Sequence, residues 1–556
     1  MKASNLFVKC LESEHVEYIF GLPGEETNDL MISLLDSKKI KFILVRHEQG
    51  AAFMADVYGR LTQKVGVCLS TLGPGATNLT TGVANANMDR SPILAITGQT
   101  DTHLLHKESH QNMDVVTMFK PITKWSWSIR NADSIPEIIR RAFKISLEEK
   151  AGAVHLVLPH DIAKEKSDIK PIRTQELSRP RANHKFVKMA AKMILEAERP
   201  LLLLGNGVIR GNASFCLRRF VEKTGICSMN TFMAKGVISD KSERHLQTIG
   251  IKEADHAQIA MKEADLVVAI GYDLVEYNPK NWNGDLKKKI IHIDSTYAEV
   301  DTYYPPTLEI AADIEYTIDA ILDELEKEKK EENPDLNKFP HCEIPHLFKK
   351  IKQEIVWRIE RYNNDFSYPI KPEKLLLDVR NSLEEKDIVI SDVGAHKLWI
   401  AKVYETFSPN TCLIPNGFCS MGFALPGAIA AQLARPNQKV VAMSGDGGFL
   451  MNVQEIETAV RLKLPVIIIV WCDCDFGMIS LKQVDEFGKS AFTRFNNPNF
   501  VTLAQSFGAI GYDVKSTKEF RNVLEKAKES TDIPVIISIS VDYSRNRILL
   551  DDNFID

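Results

Sequence analysis

Short unbroken apolar runs recur along the chain, each followed by a glycine, proline or acidic turn and then by a stretch with helical periodicity. Five stand near the N-terminus, in "YIFGLPG", "KFILVRHE", "VGVCLSTLGPGATN", "PILAITGQ" and "AVHLVLP". Three follow in "RPLLLLGNGVI", "ADLVVAIGYDL" and "KKIIHIDS", and four more in "DIVISDVG", "KVVAMSGDGGF", "LPVIIIVWCD" and "IPVIISISVD". Strands covered on both faces read as continuous apolar runs, and their alternation with helices predicts parallel sheets with helices on either side. The passages "EKSDIKPIRTQELSRPRANHK" and "DELEKEKKEENPDLNKFPHCEIPH" break the pattern with charge and proline and read as linkers. The expected fold is α/β, three doubly wound parallel-sheet domains spanning 1–166, 187–330 and 346–548, with the first and third alike in their run of strands.

Composition narrows the function classes. A chain of 556 residues with 44% hydrophobic and 26% charged residues and a net charge of −5 is that of a globular protein without a basic surface for nucleic acid. The N-terminal "MKASNLFVKCLESEHVEYIF" mixes charge into a helical pattern unlike a secretory signal, and no apolar run is long enough to span a bilayer. The expectation is a cytoplasmic protein with no membrane segment. Its nine cysteines are odd in number and scattered, which fits reduced thiols.

Two turns carry candidate chemistry. In "SGDGGF", Gly445, Gly447 and Gly448 keep side chains away where a phosphate must approach, and Asp446 offers a hard oxygen. The next strand ends in "WCDCDFGM", and in a parallel sheet its end returns to the same edge, so Asp473 should lie beside Asp446. Two carboxylates with a backbone carbonyl and diphosphate oxygens suit Mg2+. The C-x-C of Cys472 and Cys474 lacks zinc-knuckle spacing and a second pair; the two thiols would share one strand face if the strand ran on. The bland alternative is a tight glycine turn and a strand cap.

The GDG turn followed 27 residues later by Asp473 after an apolar strand resembles the thiamine diphosphate signature. Further segments carry the likeness along nearly the whole chain: "GLPGEE", "VRHEQGAAFMADVYGRLT", "LSTLGPGATNLTTGVANA", "HQNMDVVTMFKPITKW", "NGFCSMGFALPGAIAA" and "MNVQEIETAVRLKLPV". The chain is similar to the acetolactate synthase and pyruvate oxidase group, and within it to the catabolic, flavin-independent acetolactate synthases. That resemblance implies a pyrimidine-binding, a middle Rossmann-like and a diphosphate-binding domain in this order. It implies thiamine diphosphate and Mg2+ as cofactors, no FAD, pyruvate as substrate, and a homodimer or homotetramer with active sites at the subunit interface.

By the same resemblance Glu48 is the catalytic carboxylate; read without it, Glu48 is a helix-start acid. Met421 corresponds to the apolar wedge between the cofactor rings, and Cys419 to the position whose carbonyl accepts from the cofactor's amino group. Cysteine is a departure there from the commoner glycine, tolerable for a backbone contact if its dihedrals are ordinary. Asp446, Asp473 and, through its main chain, Asp475 correspond to metal ligands. Gly394, Ala395, His396, Gly445, Gly447 and Gly448 correspond to diphosphate contacts. Gln111, beside His110, matches a substrate-side glutamine; Met478 and Leu481 fall where the family lines its substrate pocket. Lys482 stands near a position where enzymes favouring 2-oxobutyrate carry tryptophan, which points to pyruvate as acceptor. The implied reaction decarboxylates pyruvate and joins the two-carbon unit to a second pyruvate, giving 2-acetolactate. The alternatives are a pyruvate oxidase, another carboligase or decarboxylase using the same cofactor, and a non-catalytic scaffold subunit.

Overall fold

A computed structural model describes residues 1–175, 178–250, 256–332, 339 and 341–549. The chain builds three six-stranded sheets in which all strand pairs are parallel. The first holds β1 (Tyr18–Gly21), β2 (Lys41–Leu44), β3 (Gly66–Ser70), β4 (Ile93–Gln99), β5 (Trp125–Ser128) and β6 (Ala153–Pro159), in the order β2-β1-β3-β4-β6-β5. The second holds β7 (Pro200–Leu204), β8 (Cys227–Asn230), β9 (His245–Thr248), β10 (Leu266–Ile270), β11 (Lys289–Asp294) and β12 (Leu308–Ala311), ordered β12-β11-β10-β7-β8-β9. The third holds β13 (Ile388–Ser391), β14 (Cys412–Leu413), β15 (Val440–Gly445), β16 (Ile467–Cys472), β17 (Ile510–Val514) and β18 (Val535–Ser540), ordered β14-β13-β15-β16-β18-β17.

Counted within its own domain, the third sheet repeats the order of the first. The second instead has the doubly wound order in which successive strands spread outward from a central pair. All twelve apolar runs singled out above form strands. The linker passages are shorter than expected. Helix Ile314–Glu332 runs into the second and helix His184–Glu196 takes the end of the first; residues 176–177, 333–338 and 340 of these passages lie outside the described residues.

β16 illustrates why these runs become inner strands. Ile467 to Trp471 are fully buried between β15 and β18 with helices over both faces. Burying each such side chain stabilises the fold by roughly 1.5–3 kcal/mol, which no alternating half-polar strand could match at this place. The outer domains also pack directly on each other. Helix Glu48–Thr62 lies against helix Ala424–Ala434, with Phe53 and Phe423 edge to face at 5.4 Å. A Cβ on Gly427 would come within 3.0 Å of Val57, so the approach needs that glycine. Asp89, buried in the first domain, accepts the main-chain N–H groups of Asn416 and Gly417 from the third and is paired with Arg60.

Candidate active site

In the third sheet the chain leaves β13 toward β14 on one side and toward β15 on the other, which opens a crevice at the C-terminal ends of β13 and β15. A cavity of about 140 Å3 sits there. Its wall comes from Val393 to His396 after β13, Gly445 to Gly448 at the end of β15, Asp473 and Asp475 to Ile479 after β16, and Met421 and Tyr543. The glycines are there because the crevice is narrow. A Cβ on Gly394 would lie 2.8 Å from the His396 ring, one on Gly447 2.8 Å from Phe476, and one on Gly448 2.9 Å from Asp392 Oδ1. Helix Ala395–Val403 begins at this wall, so its first N–H groups face the cavity side of the turn. Burial pushes the imidazole of His396 down to about 3, leaving it neutral near pH 7, and its Nε2 has no hydrogen-bond partner among the described residues.

Asp446 and Asp473 lie on the same sheet edge, on neighbouring strand ends. Asp446 Oδ2 accepts the N–H groups of Asp473 (3.1 Å) and Cys474 (2.8 Å) and the amide of Asn497 (2.7 Å), while Oδ1 accepts from Gly447 N (2.9 Å). Burial, reinforced by the charge of Asp446, pushes the Asp473 carboxyl up to about 7. Two converging acids at that cost are what a hard divalent cation relieves, since it favours the charged form of both. No cluster of three or more side-chain acids, histidines or cysteines suited to a metal occurs among the described residues. A cation here would therefore complete its shell from main-chain carbonyls and ligand oxygens, as an octahedral Mg2+ bound with a diphosphate does. Asp475 joins Arg494 in an isolated bridge whose hydrogen bonds run through Cys474 O and Phe476 N. Glycine cradle, helix start, orphaned imidazole nitrogen and paired acids thus fit a magnesium diphosphate.

Two conditions attached to the cysteines are not met. β16 ends at Cys472, and Cys474 turns out of it at φ +56°, so the thiols do not share a strand face. Cys474 is exposed; Cys472 is half-buried, and burial pushes its thiol well up. Cys419 does not have ordinary dihedrals, since its φ is +58°, in the region that favours glycine. The thiol sits 3.0 Å from Lys397 Nζ and 2.8 Å from Asn416 O, contacts that hold this conformation in place of a glycine's freedom.

Four residues near the cavity carried no sequence signal. Asn497 holds Asp446, and Tyr543 and Phe476 line the wall. Asp392, 1% exposed at the end of β13, accepts main-chain N–H groups from Val393, Gly422 and Ala424. Phe476 stood inside the quoted "WCDCDFGM" and Asp392 inside the quoted run "DIVISDVG", where the pattern says only strand end; Asn497 and Tyr543 lie outside every quoted segment. Met421 and Met478 line the cavity, Leu481 does not, and Lys482 points to solvent.

Glu48 and Gln111 come together elsewhere. Glu48 opens helix Glu48–Thr62 behind its N-cap His47 and is 9% exposed. Its Oε2 accepts from Asn78 at 3.0 Å, and a Cβ on Gly75 would come 3.3 Å from Oε1. Gln111, at φ +55°, packs on Gly73 of the same turn after β3. Neither residue lines the cavity of the third domain.

Sheet order and cavity together describe an α/β protein whose switch-point crevice has the build of a diphosphate site. Comparison with known proteins bears this out. The N-terminal TPP binding domain of thiamine pyrophosphate enzymes matches residues 1–118, the central domain 187–321 and the C-terminal TPP binding domain 392–539. An acetolactate synthase of Bacillus subtilis (strain 168) is 35% identical, over 99% of this chain and 95% of its own. A catabolic acetolactate synthase of Raoultella terrigena is 32% identical over 98% and 96%, and a probable acetolactate synthase large subunit of Methanocaldococcus jannaschii 35% over 98% and 92%. The chain belongs to the thiamine diphosphate-dependent acetolactate synthase family. Among the described residues no helix is long and apolar enough to cross a membrane.

Proposed function

We propose that this enzyme decarboxylates pyruvate and joins the two-carbon unit to a second pyruvate, releasing 2-acetolactate in the cytoplasm. The observation that carries the reading is the convergence of Asp446 and Asp473 beside a glycine-lined cavity, in a chain similar throughout its length to proteins named acetolactate synthase. Domain limits of 1–166 (pyrimidine-binding), 187–330 (middle) and 346–548 (diphosphate-binding) go with it.

Thiamine diphosphate, when bound, supplies the nucleophilic carbon and the electron sink. Asp446, Asp473 and the Asp475 carbonyl hold Mg2+; Gly394, Ala395, His396, Gly445, Gly447 and Gly448 receive the diphosphate. Met421 and the Cys419 carbonyl orient the rings, and Met478 shapes the acceptor side. With Oε2 of Glu48 held by Asn78, Oε1 is left to carry the proton exchanged with the pyrimidine ring. Gln111 lies next to it on the substrate side.

Glu48 stands outside the cavity wall of its own chain, and helix Gly477–Phe487 beside the cavity is rich in apolar residues yet buries none of them. Both features suit a homodimer, alone or paired into a tetramer, in which each subunit supplies Glu48 to its partner's cavity. The middle domain bears on flavin. Backbone packs directly on backbone at the crevice of its sheet, where a Cβ on Gly205 would lie 2.3 Å from Gly271 O. Around it, the first domain's Arg90 and Lys150 pair with Asp273, and its Glu149 with Arg210. A cavity of about 120 Å3 remains beside these pairs, lined by Arg90, Glu149, Asn206 and Arg210, below the roughly 300 Å3 of a cofactor-sized pocket, and this favours an enzyme without FAD.

Mass spectrometry of products from pyruvate, pyruvate with 2-oxobutyrate, and glyoxylate tests the reading, with the absorption spectrum of untreated protein. Acetolactate from pyruvate that requires Mg2+ and thiamine diphosphate is expected, without flavin absorption. Cofactor-loaded protein that forms no acetolactate refutes it.

A further inference from the structure

Met421 is followed by Gly422, whose φ of +83° reverses the chain. That one residue is gripped from both sides. Its N–H donates to Asp392 Oδ1 at 2.9 Å, and its carbonyl accepts from the amide of Asn452 at 2.8 Å. Asp392 and Asn452 are each 1% exposed. Asp392 closes β13, and Asn452 caps helix Asp446–Met451, which starts at the candidate metal ligand. Asp392 also takes the N–H of Val393, next to the Gly394 turn, at 2.7 Å, and that of Ala424 at 3.1 Å. Gly448 lies against it so closely that a Cβ would meet Oδ1 at 2.9 Å. Neither Asp392 nor Asn452 lines the cavity.

We infer that Asp392 and Asn452 form a clamp that sets the position of Met421, joining it rigidly to the two turns assigned to the diphosphate and its cation. Both are positioning residues. They touch no reacting atom, and their effect passes through the Gly422 peptide to the side chain that meets the cofactor rings. The inference rests on the wedge role proposed for Met421. A fully buried acid is an expensive way to end a strand unless its hydrogen bonds fix something, and here three main-chain N–H groups from two segments meet on one carboxyl group. A wedge displaced by about 1 Å leaves the cofactor bound but misaligned, and misplacement on that scale costs up to about 100-fold in rate.

Asp392→Asn keeps the shape but offers one acceptor oxygen in place of two, so at least one of the three N–H groups loses its partner. Asn452→Ala releases the same peptide from the other side and covers the case in which D392N fails to fold. Both are to be assayed as cofactor-loaded full-length protein, for turnover per bound thiamine diphosphate and for the near-ultraviolet circular dichroism of the bound cofactor. In whichever variants fold, turnover per bound cofactor should fall by roughly 30–100-fold with cofactor affinity changed less than about threefold, and the dichroism band should weaken. A purely structural role would lower the amount of loaded enzyme but not the rate or spectrum of each loaded site. Wild-type rate and spectrum per bound cofactor in the folded variants overturn the clamp. Wild-type protein that binds cofactor but makes no acetolactate overturns the proposed function instead, and the dichroism comparison still judges the clamp.

Discussion

Glu455 offers the sharpest test of how the outer domains cooperate. It belongs to the third domain, is fully buried, and its Oε1 accepts the main-chain N–H groups of Arg46 and His47, each at 3.0 Å, just before Glu48. Its Oε2 accepts the Thr458 hydroxyl at 2.7 Å. Glu455→Ala leaves the part-buried N–H groups of Arg46 and His47 without their acceptor; a fully buried group would cost about 1–3 kcal/mol, so the local loss for the two is up to roughly 2–6 kcal/mol. Glu455→Gln keeps the oxygen for both N–H groups and turns its amide to Thr458, whose hydroxyl can rotate to accept; the change should stay within about 0.5 kcal/mol. Burial pushes the Glu455 carboxyl up to about 7, so the amide also escapes a desolvation penalty that grows as pH rises toward that value. Hydrogen exchange of the peptide holding Arg46 and His47 is the direct assay. Exchange should accelerate by roughly 30-fold or more in E455A, since 1.4 kcal/mol is tenfold, and remain near wild type in E455Q. Turnover should follow the same ranking, because His47 is the N-cap that fixes Glu48. Unchanged exchange at these amides in E455A, or equal damage from glutamine and alanine, would refute the reasoning.

Other outcomes follow from the same contacts. Asp473 has a folded value of about 7 against an ordinary 3.8, so it contributes stability below pH 4 that is lost as pH rises toward 7. The metal-free protein should lose thermal midpoint over that window, Mg2+ should restore it at the upper end, and D473N should show a shallower slope in paired thermal melts. Glu48→Gln should retain thiamine diphosphate, measured by equilibrium dialysis, while turnover from pyruvate falls by roughly 100-fold or more. Gly448→Ala places a Cβ 2.9 Å from Asp392 Oδ1 in a buried site and should cost about 1–3 kcal/mol, read in thermal melts, with weaker cofactor binding by dialysis. Asp89→Asn strips charge from the buried Arg60 pair and should destabilise by up to about 3–5 kcal/mol, the range for breaking a buried ion pair.

The inner architecture was legible because inner strands need apolar residues on both faces. The six strands that pattern reading did not pick out are β5, β8, β9, β12, β14 and β17, and five of them lie at sheet edges. Tyr512 and Asp513 on β17, or Glu309 on β12, interrupt the apolar run because one flank faces outward. β8, "CSMN", is inner but short, and its buried Ser228 and Asn230 bond to His245 and Thr248 rather than to apolar neighbours. At the site, the adjacency of Asp446 and Asp473 followed from parallel strand order alone. Asp392, Asn452 and Asn497 were invisible because each acts through main-chain groups or carboxylates distant in sequence, and no local spacing encodes that. The left-handed Cys419 was equally hidden, since only its contacts with Lys397 and Asn416 show how a non-glycine is kept there.

The seat of Asn416 and Gly417 on Asp89 bears on whether the polypeptide can be dissected. The segment that presents Met421 leans on the opposite end of the chain, so an excised C-terminal third would keep its strand order yet lose the ledge under the Met421 loop. The repeating layout invites cutting into modules; the hydrogen bonds across the cut oppose it.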